Sequence, residues 1–154
     1  MVIIIFLIKV IFFTLAIAFC LAKLEIEIEG GRGWAQDLPT WKRVNLFSKL
    51  LYGSSKVPLT GYHTWLTVLL FLIYHFVFLF VPWTLKMELL VFSQILLTYL
   101  FEDFIWFVIN PKFGIKKFKK NLIPWHENWL GPVPVGYWVY MSFYTILIYF
   151  YISL

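Results

Sequence analysis

Two adjacent acids, Glu102 and Asp103, stand inside the otherwise apolar stretch Leu89–Ile109. An acid near the centre of a membrane helix costs about 2.5–3.5 kcal/mol on insertion scales, so such residues are the first place to look for function. Neighbouring carboxylates repel in a poor dielectric, an arrangement in which one acid can donate a proton and the other accept one. Three histidines accompany them. His63 follows Thr60-Gly61-Tyr62, His126 lies between Trp125 and Glu127, and His75 lies about 18 Å along a helix from His63. Glu102, Asp103, His63 and His126 are therefore the candidate catalytic residues. The same four form the candidate ligand set if a metal is bound, since mixed imidazole and carboxylate donors suit zinc or iron. The spacing carries no HxxxH or ExxH pattern, and three histidines are too few for a multi-histidine membrane desaturase. No cofactor is named by the sequence.

Helical spacing groups these residues. Gln94, Thr98 and Glu102 recur every four residues and form one stripe; Tyr99, Asp103, Trp106 and Asn110 form the next. Two polar stripes are expected to face the interior of a bundle. Glu102 falls seven residues before Ile109, about 10 Å from that end of the helix. His63, Glu102, Asp103, Asn110 and His126 are expected to reach one pocket, with Glu29 able to join them. Other polar residues have plainer readings. Glu25, Glu27 and Glu29 alternate with Ile26 and Ile28 and read as a solvated stretch beside the membrane. Lys9 reads as snorkelling outward, His75 as an interhelical hydrogen-bond partner, and the Tyr137, Tyr140, Tyr144, Tyr151 stripe as packing or a hydroxyl-lined cavity. Gly30-Gly31-Arg32-Gly33 lacks phosphate-loop spacing and reads as a turn.

The elements that must position these groups follow from composition. Of 154 residues, 62% are hydrophobic and 14% charged, against roughly 25% charged in soluble domains. Mean hydropathy is +0.82. So little charge excludes an ordinary soluble enzyme and a disordered chain. The class that remains is an all-α, polytopic membrane protein: a single antiparallel four-helix domain over residues 1–154. Its expected helices are 2–22, 64–81, 89–109 and 137–154. Residues 82–88 form a tight turn, while 23–63 and 110–136 form long loops on the opposite side.

Charge orients the bundle. Lys23, Arg32, Lys42, Arg43, Lys49, Lys56, Lys112, Lys116, Lys117, Lys119 and Lys120 all fall in the two long loops, against Lys86 on the other side and Lys9 inside the first helix. The positive-inside rule then places both loops in the cytoplasm and both termini outside, in a multi-pass protein of the cell membrane. These basic loops are expected to meet anionic headgroups of the lipid bilayer rather than nucleic acid. Trp34, Trp41, Trp65, Trp125, Trp129 and Trp138 cluster toward that interface. Residues 118–125 read as lying along the membrane surface. The one cysteine, Cys20, excludes an intrachain disulfide and CxxC chemistry and reads as an inert packing residue. Without a basic segment before it, the first apolar run reads as a retained helix rather than a secretory signal.

Several segments resemble a set of small four-helix prokaryotic membrane proteins. They are Gly33-Trp34-Ala35 with Leu38-Pro39-Thr40-Trp41, Leu59-Thr60-Gly61-Tyr62-His63, Glu102-Asp103-Phe104-Ile105-Trp106-Phe107 with Asn110-Pro111, and Trp125-His126. The resemblance spans most of the chain after residue 25. It implies that these segments belong together and names no substrate. Trp106, Asn110, Gly114 and Pro132 or Pro134 also resemble the order of Trp, Asn, Gly and Pro in membrane lycopene cyclases. The Glu-Glu that should follow the proline is missing, so no residue role is carried across.

Three functional readings follow. The first is a polar site on the cytoplasmic side that binds, or transforms by acid/base chemistry, a lipid-soluble molecule of isoprenoid or lipid type. The second is a His/carboxylate metal-binding protein. The third is a non-enzymatic accessory subunit or ion-pathway component. A pore through one monomer is not expected, because the outer half offers few polar residues. Homo-oligomerisation is left open by the sequence.

Overall fold

The computed structural model describes residues 2–44, 46 and 57–154. Lys49 and Lys56, two of the basic loop residues, lie outside the described residues. The chain is mostly helical, with α1 at Val2–Glu29, α2 at Gly61–His75, α3 at Leu85–Ile109 and α4 at Val135–Ser153. A 3-10 turn, Phe76–Leu79, extends α2. All four helices are long and apolar enough to cross a membrane. Two short antiparallel pairs stand at the loop end: β1 (Lys42–Arg43) with β2 (Leu59–Thr60), and β3 (Trp129–Leu130) with β4 (Val133–Pro134).

The helix bounds differ from the hydropathy reading, for local reasons. The apolar run fades after Ala22, yet α1 continues to Glu29, because nothing in Lys23–Glu29 breaks a helix until Gly30 turns the chain at φ +70°. The reading of Glu25–Glu29 as a solvated stretch is corrected accordingly. Glu25 and Glu29 are one helical turn apart and face inward, with Glu25 8% exposed and the Glu29 side chain 2% exposed. Glu27, between them, faces out and pairs with Lys23. At the other end α3 begins at Leu85, four residues earlier than hydropathy suggests. Thr84 adopts an extended conformation there and accepts a hydrogen bond from the Met87 amide.

Helix α3 is the axis of the molecule. Gln94, Thr98 and Glu102 are all buried, so the first polar stripe does turn inward. Thr14 donates to Gln94 Oε1 at 2.8 Å, and the Tyr74 hydroxyl meets Thr98 Oγ1 at 2.6 Å, tying α1 and α2 to α3 in mid-bundle. Nearby, Leu21, Leu70, Tyr74, Val91 and Ile95 form one apolar cluster. A second cluster, Ala22, Ile26, Trp106, Phe107 and Ile123, closes the loop end. Residues 118–125 therefore send Ile123 into the core, and Trp125 and Phe118 pack against the same cluster.

Among the described residues the two loops are tied together. Asn110, 1% exposed, donates from Nδ2 to the Gly30 carbonyl and accepts from the Lys112 and Phe113 amides. Gly33 sits at φ +62°, and a Cβ there would lie 2.5 Å from the Trp125 ring. At the turn end, His75 Nε2 lies 3.0 Å from Glu88 Oε1, and Trp83 donates to the other Glu88 oxygen. His75 is thus an interhelical partner near the end of α2. In contrast to α3, no residue of α4 is buried among the described residues. Its exposed Phe143, Tyr149 and Ile152 suit a hydrocarbon solvent.

Candidate functional site

Four carboxyl groups and two histidines gather where the loop ends of the helices meet. The first half of the cluster is built on α1 and α2. The β1–β2 pairing brings Thr40-Trp41 beside Thr60-Gly61, with Lys42 opposite Thr60. The Gly61 amide donates to the Trp41 carbonyl and the Tyr62 amide to Thr40 Oγ1. Gly61 is needed there, since a Cβ would lie 2.5 Å from Trp41 Nε1. Thr60 caps α2 by accepting from the His63 amide at 3.1 Å, and the same hydroxyl meets His63 Nδ1 at 2.7 Å. With Nδ1 engaged and Trp34 stacked on the ring at 4.6 Å, His63 Nε2 is aimed at Glu29 Oε1, 3.6 Å away.

Glu29 has a second task. Its Oε1 accepts from the Ala35 amide. Trp34 and Ala35 both have positive φ, 51° and 50°, a conformation that ordinary side chains disfavour. The carboxyl thus holds a strained turn closed. One helical turn back, Glu25 meets the Glu102 carboxyl of α3. The ligand-capable atoms of Glu25, Glu29 and His63 all lie within 4.8 Å of one another. Glu102 Oε1 and the Tyr62 hydroxyl are buried without a hydrogen-bond partner. Among the described residues, no Lys or Arg pairs with Glu25, Glu29 or Glu102; the surface pairs are Lys23–Glu27 and Arg32–Asp37.

The second half lies between α3 and α4. Asp103 Oδ2 is 3.0 Å from His126 Nε2 and accepts the Tyr137 hydroxyl at 2.5 Å. His126 is held by a turn in which its amide donates to the Ile123 carbonyl and its own carbonyl accepts from Trp129 Nε1. The β3–β4 hairpin, turning at Gly131 with φ +64°, then leads into α4 and sets Tyr137 in its first turns. Tyr137 also forms one wall of a groove of about 290 Å³ between α3 and α4. The remaining walls are Leu100, Phe101, Phe104, Val133, Trp138 and Met141, all apolar or aromatic.

The residues singled out by sequence thus divide between two settings. His63 faces Glu29, while His126 binds Asp103, and Asp103 is still close enough to act electrostatically on His63. Glu102 sides with Glu25 and the α1 acids. Asn110 ties the two loops, and Lys9 is exposed on the outer surface of α1. Sequence reasoning missed Glu25, Tyr62 and the partnership of Tyr137 with Asp103. The i, i+4 spacing of Glu25 and Glu29 was the available signal for a shared face. For Tyr137, the first of a tyrosine stripe, no local pattern points to Asp103. No family model, no curated protein and no solved structure matches the chain.

Proposed function

We propose that this is a multi-pass membrane protein that binds a lipid-soluble molecule, of isoprenoid or acyl type, in the α3/α4 groove and moves protons on it. The topology that goes with this reading has both long loops in the cytoplasm and both termini outside, as the positive-inside rule requires. The observation that carries the reading is Tyr137. Its ring belongs to an apolar groove open to the side of the bundle, and its hydroxyl rests on Asp103. A molecule entering from the hydrocarbon layer would meet Tyr137 at the boundary between apolar wall and polar cluster. Binding sites commonly combine an apolar lining with a few convergent polar groups. In this arrangement Tyr137 is the catalytic residue, exchanging its hydroxyl proton with the bound molecule. Asp103 takes up or returns that proton, and His126 orients Asp103 and links it to the loop surface.

Solvent deuterium tests this for a reaction that moves a proton to or from carbon, whatever the bound molecule. The protein is extracted gently with its lipids, incubated in D2O, and the co-purified small molecules are identified by mass spectrometry. One species is expected to be retained stoichiometrically and to gain carbon-bound deuterium. Tyr137→Phe should keep the molecule bound and abolish the exchange. Met141→Trp, which fills the groove, should lose the molecule while the melting curve is preserved. Retention of no specific species, or exchange unchanged in Tyr137→Phe, would overturn the reading.

A further inference from the structure

The groove chemistry uses Asp103, Tyr137 and His126 and leaves the α1 acids unexplained. Burying Glu25 against Glu102, with Glu29 beside them, places three carboxyls together where no Lys or Arg balances them among the described residues. Uncompensated buried charge costs several kcal/mol per ion, so such a cluster needs either protons or a cation. A cluster of acids alone would not distinguish the two. The rest of the geometry does.

Four observations favour a cation. The ligand-capable atoms of Glu25, Glu29 and His63 lie within 4.8 Å of one another. Donors on one ion at about 2.0–2.2 Å are themselves roughly 3–4.4 Å apart, so only a small contraction is needed. Second, His63 is prepared as a ligand is. Metal-bound imidazoles engage their other ring nitrogen with a hydrogen-bond partner that fixes the ring, and His63 Nδ1 is so engaged by Thr60 at 2.7 Å, leaving Nε2 free to face the acids. Third, Glu102 is 7% exposed, and its Oε1 has no partner although it adjoins Glu25 and Glu29. A buried carboxyl oxygen left unsatisfied requires an explanation, and an ion held by its neighbours supplies one. Fourth, the Tyr62 hydroxyl, next to His63 in the chain, is also buried and unpartnered, and the same three acids act on it electrostatically.

We infer that Glu25, Glu29 and His63 form a binding site for one divalent transition-metal ion at the loop ends of α1 and α2, with the buried Glu102 carboxyl of α3 bordering it. One imidazole with two carboxylates is a hard-to-borderline donor set, suited to Zn²⁺, Fe²⁺ or Mn²⁺ rather than to thiolate-seeking Cu⁺. This site lies on the α1/α2 side of α3 and uses neither His126 nor Tyr137, so it goes beyond the groove reading and stands or falls separately.

The test uses the full chain in detergent, treated with chelator and titrated with Co²⁺. Visible absorption reports coordination, and Zn²⁺ serves as the competitor. One Co²⁺ per chain is expected, displaced by Zn²⁺, and Zn²⁺ should raise the melting temperature of the chelator-treated protein. Glu25→Gln and His63→Gln should each weaken Co²⁺ binding at least about tenfold, on the scale by which loss of even an outer-shell partner weakens metal sites. His126→Gln should leave binding unchanged, because His126 belongs to the groove cluster. Should either variant fail to fold, the wild-type titration and Zn²⁺ melting shift still decide the matter. A folded wild type that binds no Co²⁺ would mean that the acids hold protons instead, and the inference would be wrong. Binding that survives both Glu25→Gln and His63→Gln, or that is lost in His126→Gln alone, would overturn it as well.

Discussion

At the scale of single residues, Glu102 shows how far a sequence can take an argument. Its burial was legible, because Gln94, Thr98 and Glu102 recur at four-residue steps and a polar stripe on an otherwise apolar helix is expected to turn inward. Its main neighbour was not legible. Glu25 lies 77 positions away along the chain, and the Glu-Ile alternation around it imitates an exposed extended segment. Only the continuation of α1 through Glu29 turns that alternation into a helix with Glu25 and Glu29 on one face and Glu27 on the other. The crowding of Glu25 against Glu102 has a measurable cost. In chelator-treated protein, Glu102→Gln replaces one carboxyl of the facing pair by a neutral amide. The fold should survive and the melting temperature should rise by about 3 °C, on the order of 1 kcal/mol. Differential scanning fluorimetry in detergent measures this directly. A fall of several degrees would make the Glu102 carboxyl a structural group.

At the scale of elements, α1 and α3 lie parallel with a constant offset. Thr14 bonds to Gln94 and Gly30 to Asn110, both 80 positions apart. This fixed register places Glu25 beside Glu102 and carries the first loop onto the second. Gly33 is a tight point of that contact. Any side chain there would be held at φ +62° with its Cβ 2.5 Å from the Trp125 ring. Gly33→Ala should destabilise the protein by at least about 1–2 kcal/mol from backbone conformation alone, with further loss as Trp125 is displaced. Intrinsic tryptophan emission and the melting temperature should both shift. Wild-type values for both would show that the loop contact is slack. Hydropathy revealed the four helices but not their ends, because a helix stops where capping and turn residues act, not where apolar character fades. Thr84 and Gly30 set the real bounds.

At the scale of the whole molecule, the basic residues and the site share one end of the bundle. Lys112, Lys116, Lys117, Lys119 and Lys120 lie in the loop between α3 and α4, and Lys86 at the other end. On the proposed topology, a cysteine-specific, membrane-impermeant reagent should not label Lys117→Cys, made in a Cys20→Ser background, in intact cells, and should label it after permeabilisation. Rapid labelling of intact cells would reverse the orientation and move the site to the outer face. The parallel pairing of α1 with α3 also sets a timetable for biosynthesis. Thr14 leaves the ribosome 80 residues ahead of Gln94, which at roughly 5–20 residues per second is a wait of about 4–16 s. Throughout that interval Glu25 and Glu29 have no α3 to bury them, so on the proposed membrane topology α1 would enter the bilayer with its acids still in water. Their burial against α3 would then be a late event of assembly, and an ion held by Glu25, Glu29 and His63 would have to wait at least until α2 has joined α1.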